Sequence, residues 1–115
     1  AAFQPQRAEA YYFLSRKNNV IRRSGISIYP EDIEKILLND KNIKEVAVTS
    51  KENKIKTIIY LFVKREKQID QNYIKNICLK KLSTFQIPNH IILVNQFPKS
   101  VLGKINKRLL LKNLP

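Results

Sequence analysis

The chain has 115 residues, 43% of them hydrophobic and 27% charged, and its 22 lysines and arginines against nine acidic residues give a formal charge of +13. This composition predicts one small globular domain and excludes a disordered chain, and no apolar run reaches the ~20 residues that span a bilayer. A single cysteine, Cys78, excludes an internal disulfide, so we expect a buried structural thiol in a cytoplasmic protein.

The first part of the chain carries few structural signals, and the whole sequence lacks methionine. We interpret it as a fragment in which residues 1–15 are an N-terminal extension or the remnant of a preceding domain. Tyr11 to Leu14 form an aromatic and apolar run that predicts a strand. Val20-Ile21 and Ile26 to Ile28 flank Ser24-Gly25, which predicts two short strands around a tight turn.

Pro30 predicts the start of a helix, because proline fits the first turn and the acidic residues that follow suit its positive end. Apolar residues at helical spacing predict the inward face, and Asn39-Asp40 predicts the end. Residues 43–49 and 55–63 are rich in β-branched residues, and they predict two strands of a hairpin that turns at 51–54.

Asp70 predicts the N-cap of a second helix, and the residues that form its apolar face are Tyr73, Ile74, Ile77, Cys78 and Leu82. Ile87-Pro88 predicts a break in regular secondary structure, and Ile91 to Val94 predicts a further strand. After a loop from Pro98 to Gly103, a last short helix carries Leu109 and Leu110. Strands and helices that alternate in this irregular way predict the α+β class, with a small, mainly antiparallel sheet flanked by helices.

Three stretches of the chain, in this order, are similar to known sequence motifs. Ser15 to Gly25 resembles G-R-x-D followed by an apolar pair, a basic residue and S-G or N-G. Ile28 to Glu34 resembles I-x-P-x-E-I-E, and Pro98 to Ile105 resembles P-K-S/T-x-x-G-K-I/L. Leu82 to Pro88 lies between the last two and resembles L-x-x-F/Y-x-V/I-P. Taken together, these stretches resemble the adenylate-forming superfamily of acyl-CoA synthetases, luciferases and peptide-synthetase adenylation domains.

The resemblance covers roughly residues 11–111 and implies the mobile C-terminal lid of such an enzyme. The lid would comprise residues 16–115, with a hinge near residue 18, and would rotate over a large N-terminal domain of the same polypeptide. The family joins a carboxylic acid to ATP to make acyl-AMP, and a thiol then displaces AMP. The resemblance therefore implies ATP and CoA as small-molecule substrates, with Mg²⁺ bound through ATP and the N-terminal domain.

Residue by residue, the resemblance assigns roles in the first step to four positions. Lys104 matches the lysine that catalyses adenylation, and Gly103 beside it would let the backbone approach the nucleotide. Arg16 matches the arginine that contacts the ATP ribose. Asn18 stands at the hinge, where the family has Asp or Lys, and Ser15 replaces the usual glycine.

For the second step, Ser24 and Gly25 match the segment that lines the pantetheine tunnel. Arg22 stands where some relatives have a lysine, and with Arg23 it could hold CoA phosphates. For the two arginines the alternative is an ordinary charged hairpin. His90 is the only histidine and has no partner residue at ligand spacing, so the sequence predicts no metal site.

We therefore expect the catalytic lid of an ATP-dependent, AMP-forming acid–CoA ligase that acts on fatty or other carboxylic acids and is inactive in isolation. One alternative is the lid of a peptide-synthetase adenylation domain, although that family's closing motif reads P-L-T-x-N-G-K-V/L-D. A non-catalytic lid is another, which the changes at Ser15 and Asn18 leave open. The alternative from a different class is a basic nucleic-acid-binding module, which would expose Tyr60 and Phe62 between basic residues.

The distribution of charge makes a nucleic-acid partner the weaker interpretation, because the lysines are spread along the chain. The alternating strand around Tyr60 and Phe62 also favours a core role for the two rings. Tight binding of short RNA with a steep salt dependence would favour the nucleic-acid class.

Overall fold

The computed structural model describes residues 20–52, 56–112 and 114, and within these ranges it contains strands and helices in alternation. The strand predicted at Tyr11 to Leu14 lies outside them. The elements are β1 (Ile21–Arg23), β2 (Ile26–Ile28), α1 (Pro30–Leu38), β3 (Val46–Glu52), β4 (Thr57–Lys64), α2 (Gln71–Lys81), a 3-10 turn (Thr84–Gln86), β5 (His90–Val94) and α3 (Lys107–Lys112).

The central sheet has three strands, with β4 between β3 and β5. β3 runs antiparallel to β4, with Val46 opposite Val63 and Glu52 opposite Thr57. β5 instead runs parallel to β4, with Tyr60 opposite His90. β1 and β2 form a separate antiparallel hairpin. The predicted α+β class with mainly antiparallel pairing is confirmed, and the parallel pairing of β5 is an addition to it.

Both faces of the sheet are covered, because successive side chains of each strand point to opposite sides. One face, with α1, α2 and the β1–β2 hairpin, forms what we call the main core, which includes Ile21, Ile28, Ile33, Leu37, Val46, Val48, Ile59, Leu61, Val63, Ile74 and Cys78. The other face, with α3, forms the second core around Ala47, Phe62, Phe97 and Leu110. A middle strand that is covered on both faces reads as a near-continuous apolar run, as β4 does.

The two predicted helix starts are confirmed. Pro30 occupies the first turn of α1, with Glu31 and Asp32 beside it, and Asn39 is the C-cap. The Asp70 carboxylate accepts a hydrogen bond of 2.8 Å from the backbone N–H of Tyr73, which satisfies one of the unpaired donors at the start of α2. Each described helix is too short or too polar to cross a lipid bilayer.

The bounds of β3 differ from the prediction at both ends. Ile43 is buried in the main core but is not part of the strand, since its N–H donates to the carbonyl of Asp40 in a turn. At the other end, Lys51 and Glu52 were predicted to turn but continue the strand and pair with Ile58 and Thr57. A buried apolar side chain on a loop and a polar end of a strand both weaken the period-2 pattern.

Candidate functional site

The segment around Lys104 folds as a hairpin, which we call the lysine hairpin (residues 98–106). Lys99 and Ile105 form an antiparallel bridge, and the N–H of Ser100 donates to the carbonyl of Lys104 at 2.8 Å. The N–H of Gly103 donates back to the carbonyl of Ser100 at 2.9 Å. Gly103 has φ +86°, in the left-handed region that a three-residue hairpin loop requires at its last position. The predicted loop is therefore an ordered turn.

The lysine hairpin presents Lys104 towards solvent. Ile105 packs against the second core, and Lys104, the preceding residue, is exposed. At the tip, Val101 is fully exposed and Leu102 is 85% exposed. Lys104 is thus an exposed residue beside a projecting turn.

The base of the lysine hairpin is bound to the body of the domain by two carboxylates. Glu45 forms ion pairs with Lys99 and, at 3.9 Å, with Lys64. Glu34 forms an ion pair of 2.9 Å with Lys107, the residue that follows the hairpin. Both carboxylates are partly shielded, with side-chain exposures of 24% for Glu45 and 18% for Glu34.

The second candidate segment is the β1–β2 hairpin, which we call the arginine hairpin (residues 21–28). Ser24 and Gly25 form its two-residue turn with φ +52° and +80°. Two consecutive positive φ angles define the type I′ turn, whose twist matches that of the flanking strands. A Cβ atom added at Gly25 or at Gly103 would meet no atom within 4 Å, so backbone conformation, not crowding, favours glycine at both.

The two arginines of this hairpin have different environments. Arg23 donates to the carbonyls of Phe85 at 3.0 Å and Ile87 at 2.8 Å, and to Oδ1 of Asn89 at 3.0 Å. Its guanidinium therefore joins the hairpin to the 85–89 loop, which differs from the predicted role of holding phosphates. The side chain of Arg22 is exposed and remains the candidate for an anion.

The structure does not gather the predicted site residues into one site. Arg16, Asn18 and Ser15 lie outside the described residues. The arginine hairpin joins the main core through Ile21 and Ile28, whereas the lysine hairpin joins the second core. The candidate residues thus form two groups: Arg22, Ser24 and Gly25 on the arginine hairpin, and Gly103 and Lys104 on the lysine hairpin.

One cavity in the described part of the chain lies away from both hairpins. It is an open cleft of about 840 Å³ along β5, lined by Lys51, Lys75 and Lys112 and by the stacked rings of Tyr60 and His90, whose centroids are 5.2 Å apart. None of its lining residues belongs to either hairpin. Phe62 is buried as the core interpretation predicted, so the aromatic surface expected of a nucleic-acid-binding sheet is reduced to one half-buried tyrosine and a histidine.

Cys78 is the structural thiol that the sequence predicted. It is buried in the main core, and this burial raises the pKa of the thiol from 9.0 to about 11. A thiol that stays protonated at neutral pH is a poor nucleophile. Within residues 20–52, 56–112 and 114, no three histidine, cysteine or acidic residues come together in a way that could hold a metal ion.

Comparison with protein families matches residues 32–104 to the family described as AMP-binding enzyme C-terminal domain. The matched range begins in α1, contains all three strands of the central sheet and ends at Lys104.

Among curated relatives, the chain is similar to a 2-succinylbenzoate–CoA ligase of Listeria monocytogenes, with 32% identity over 84% of this chain and 21% of the relative. It is also similar to a long-chain-fatty-acid–CoA ligase of Haemophilus influenzae, with 26% identity over 84% of this chain and 18% of the relative. The chain therefore spans about a fifth of the length of these relatives.

Among solved structures, the fold resembles part of a Mycobacterium tuberculosis fatty acyl CoA synthetase, with a TM-score of 0.72 and 24% identity. The matched region covers 81% of this chain and 19% of that protein. At this level of identity the likeness shows the fold alone.

Proposed function

The chain belongs to the AMP-binding enzyme C-terminal domain family, and on that premise we propose that it is the lid of an AMP-forming acid–CoA ligase. In this proposal, a large N-terminal domain of the same polypeptide binds ATP and a fatty or other carboxylic acid. Two relatives with this lid are named for quite different acids, 2-succinylbenzoate and long-chain fatty acids. The proposal accordingly assigns the choice of acid to the other domain.

We assign Lys104 to the adenylation step. An oxygen of the substrate carboxylate attacks the α-phosphorus of ATP, the bond to the β-phosphate oxygen breaks, and pyrophosphate leaves with the electron pair. Negative charge is shared by several oxygens in the transition state, so a pre-placed ammonium group lowers the barrier. The observation that carries this assignment is the position of Lys104 on a projecting, ordered turn beside Gly103.

We assign the arginine hairpin to the thioester step. The sulfur of CoA attacks the acyl carbonyl carbon of acyl-AMP, the bond to the phosphate oxygen breaks, AMP leaves, and the thiol proton is released. In this proposal Ser24 and Gly25 line the path of the pantetheine arm, since a glycine turn without a side chain lets a narrow ligand pass close to the backbone. Arg22, with its exposed guanidinium, would bind a CoA phosphate.

The position of the two hairpins supports a rotating lid. They join opposite faces of one sheet, so a rigid rotation could bring one to the other domain while it withdraws the other. Val20, two residues after the predicted hinge at Asn18, lines a groove of about 190 Å³ beside β3 together with Lys107. The exit of the lysine hairpin therefore lies close to the place where the described chain begins.

Mg²⁺ is expected with ATP, but the described residues do not fit a Mg²⁺ site. They include no cluster of carboxylates that could hold the ion. Mg²⁺ usually binds through substrate phosphates and one or two carboxylates, and in this proposal those groups come from ATP and the N-terminal domain.

The proposal is tested by Lys104→Ala in the full-length enzyme, with each half-reaction measured separately. Acyl-AMP formation should fall about 100-fold or more, the usual cost of one removed charge-stabilising group. Thioester formation from supplied acyl-AMP should be unchanged. Lys67→Ala, which removes an exposed lysine from the turn before α2, is the matched control and should leave both rates intact. Equal loss in both half-reactions would contradict the assignment.

A further inference from the structure

The orientation of the lysine hairpin is set at its base, because its tip is not packed. Val101 and Leu102 are exposed. The two arms are paired as in a β-sheet at a single position, where Lys99 lies opposite Ile105. A short hairpin of this kind has little stability of its own. The contacts at the base, which are ion pairs and the packing of Ile105 against the second core, therefore determine the direction in which the hairpin carries Lys104.

Glu34 connects three elements through one carboxylate oxygen. Its Oε2 accepts a hydrogen bond of 2.8 Å from the N–H of Val48 and also lies 2.9 Å from Nζ of Lys107. The odd-numbered residues of β3 make the backbone hydrogen bonds to β4. The N–H of Val48 therefore points away from β4, towards the outer edge of the sheet. Glu34 thus joins α1 and β3 to the first residue after the lysine hairpin.

Glu45 binds the other arm of the hairpin. Its Oε2 pairs with Nζ of Lys99 on the first arm, and its Oε1 lies 3.9 Å from Nζ of Lys64. The backbone of Glu45 is itself fixed, because its carbonyl accepts the N–H of Lys64 at 2.9 Å. The first arm of the lysine hairpin is therefore attached to Glu45, just before β3, and the residue that follows its second arm is attached to Glu34 on α1.

We propose that Glu34 and Glu45 are positioning residues for adenylation: they bind Lys107 and Lys99 and so direct Lys104 at the α-phosphate. This inference rests on the proposed function of Lys104. It predicts that the two carboxylates affect adenylation and not thioester formation, because neither ion pair involves the arginine hairpin. In this scheme neither carboxylate touches the substrate.

The test uses Glu34→Gln and Glu45→Gln, singly and together, in the full-length enzyme. Glutamine keeps the shape, and its carbonyl can still accept the N–H of Val48, so the charge is the main loss. The double variant should lower the rate of adenylation about 100-fold, the cost of a displacement of ~1 Å at a reacting group. The KM for ATP and the rate of thioester formation from supplied acyl-AMP should be unchanged.

Glu52→Gln is the matched control, because it removes one negative charge from an exposed position on the same strand as Val48. It should leave adenylation at the wild-type rate. A loss as large as that of the double variant would overturn the positioning role, because general charge would then explain the effect. Equal losses in both half-reactions of the double variant would overturn it as well.

The partner lysines supply a second readout that a change in stability would not mimic. Lys107→Gln should reproduce the effect of Glu34→Gln, and the double variant of this pair should be no slower than either single variant. Additive losses would overturn the inference. Thermal unfolding is measured alongside, and if the carboxylate double variant does not fold, the single Glu45→Gln variant carries the test.

The two proposals fail in different ways. If Lys104→Ala adenylates at the wild-type rate, the proposed function itself is wrong. If Lys104→Ala is slow while both carboxylate variants are fast, only the positioning role of Glu34 and Glu45 is overturned.

Discussion

The arginine hairpin and the lysine hairpin are built in different ways. The arginine hairpin has three paired positions, a type I′ turn, and side chains of Ile21 and Ile28 in the main core. The lysine hairpin has one bridge and an exposed tip, and its base is held by ion pairs together with the packing of Ile105 against the second core. Ion pairs at partly exposed positions are weaker than apolar burial and are screened by salt. We therefore expect the lysine hairpin to be the more adjustable of the two.

The largest expected effect concerns the apolar support of the lysine hairpin. Phe97 comes just before the hairpin and is 3% exposed in the second core. Phe97→Ala should lower the free energy of unfolding by about 3–5 kcal/mol, because it removes a buried ring and leaves a cavity. Urea denaturation of the 115-residue chain measures this, with Val101→Ala at the exposed tip as a control that should change nothing. A loss below about 1 kcal/mol would mean that the hairpin depends on its ion pairs alone.

A smaller effect separates Arg22 from Arg23 within the arginine hairpin. Arg23→Ala should lower the free energy of unfolding by about 1–3 kcal/mol, because it leaves the carbonyl of Ile87 and the other acceptors without their donor. Arg22→Ala should leave stability unchanged but raise the KM for CoA in the full-length enzyme. If the two variants exchange these effects, the assignment of a structural arginine and an anion-binding arginine is wrong.

Much of the fold was predictable because its signals are local. Pro30 and Asp70 mark helix starts through the backbone groups next to them, and Ser24-Gly25 marks its turn in the same way. The resemblance also directed attention to Lys104, which the charge pattern alone would not have separated from many other lysines. The structure adds to this the ordered hairpin that carries Lys104.

What the sequence did not predict depends on contacts between distant residues. Glu34 appeared only as an acidic residue near a helix start, yet it binds Val48 and Lys107 far along the chain. Arg23 appeared as a candidate phosphate ligand, yet it bonds to the 85–89 loop. No pattern in a single sequence indicates such partners, because they become neighbours only when the sheet forms.

The smallest structural change gives the most direct test that the two hairpins serve different half-reactions. Gly25→Ala and Gly103→Ala are matched, since both glycines have φ near +80° and room for a Cβ atom, so each should cost about 1–2 kcal/mol of stability. The measurement is the rate of each half-reaction for both variants in the full-length enzyme. We predict a crossover: Gly25→Ala slows thioester formation and spares adenylation, and Gly103→Ala does the opposite. If both variants slow the same half-reaction to the same extent, the division of work between the hairpins is contradicted.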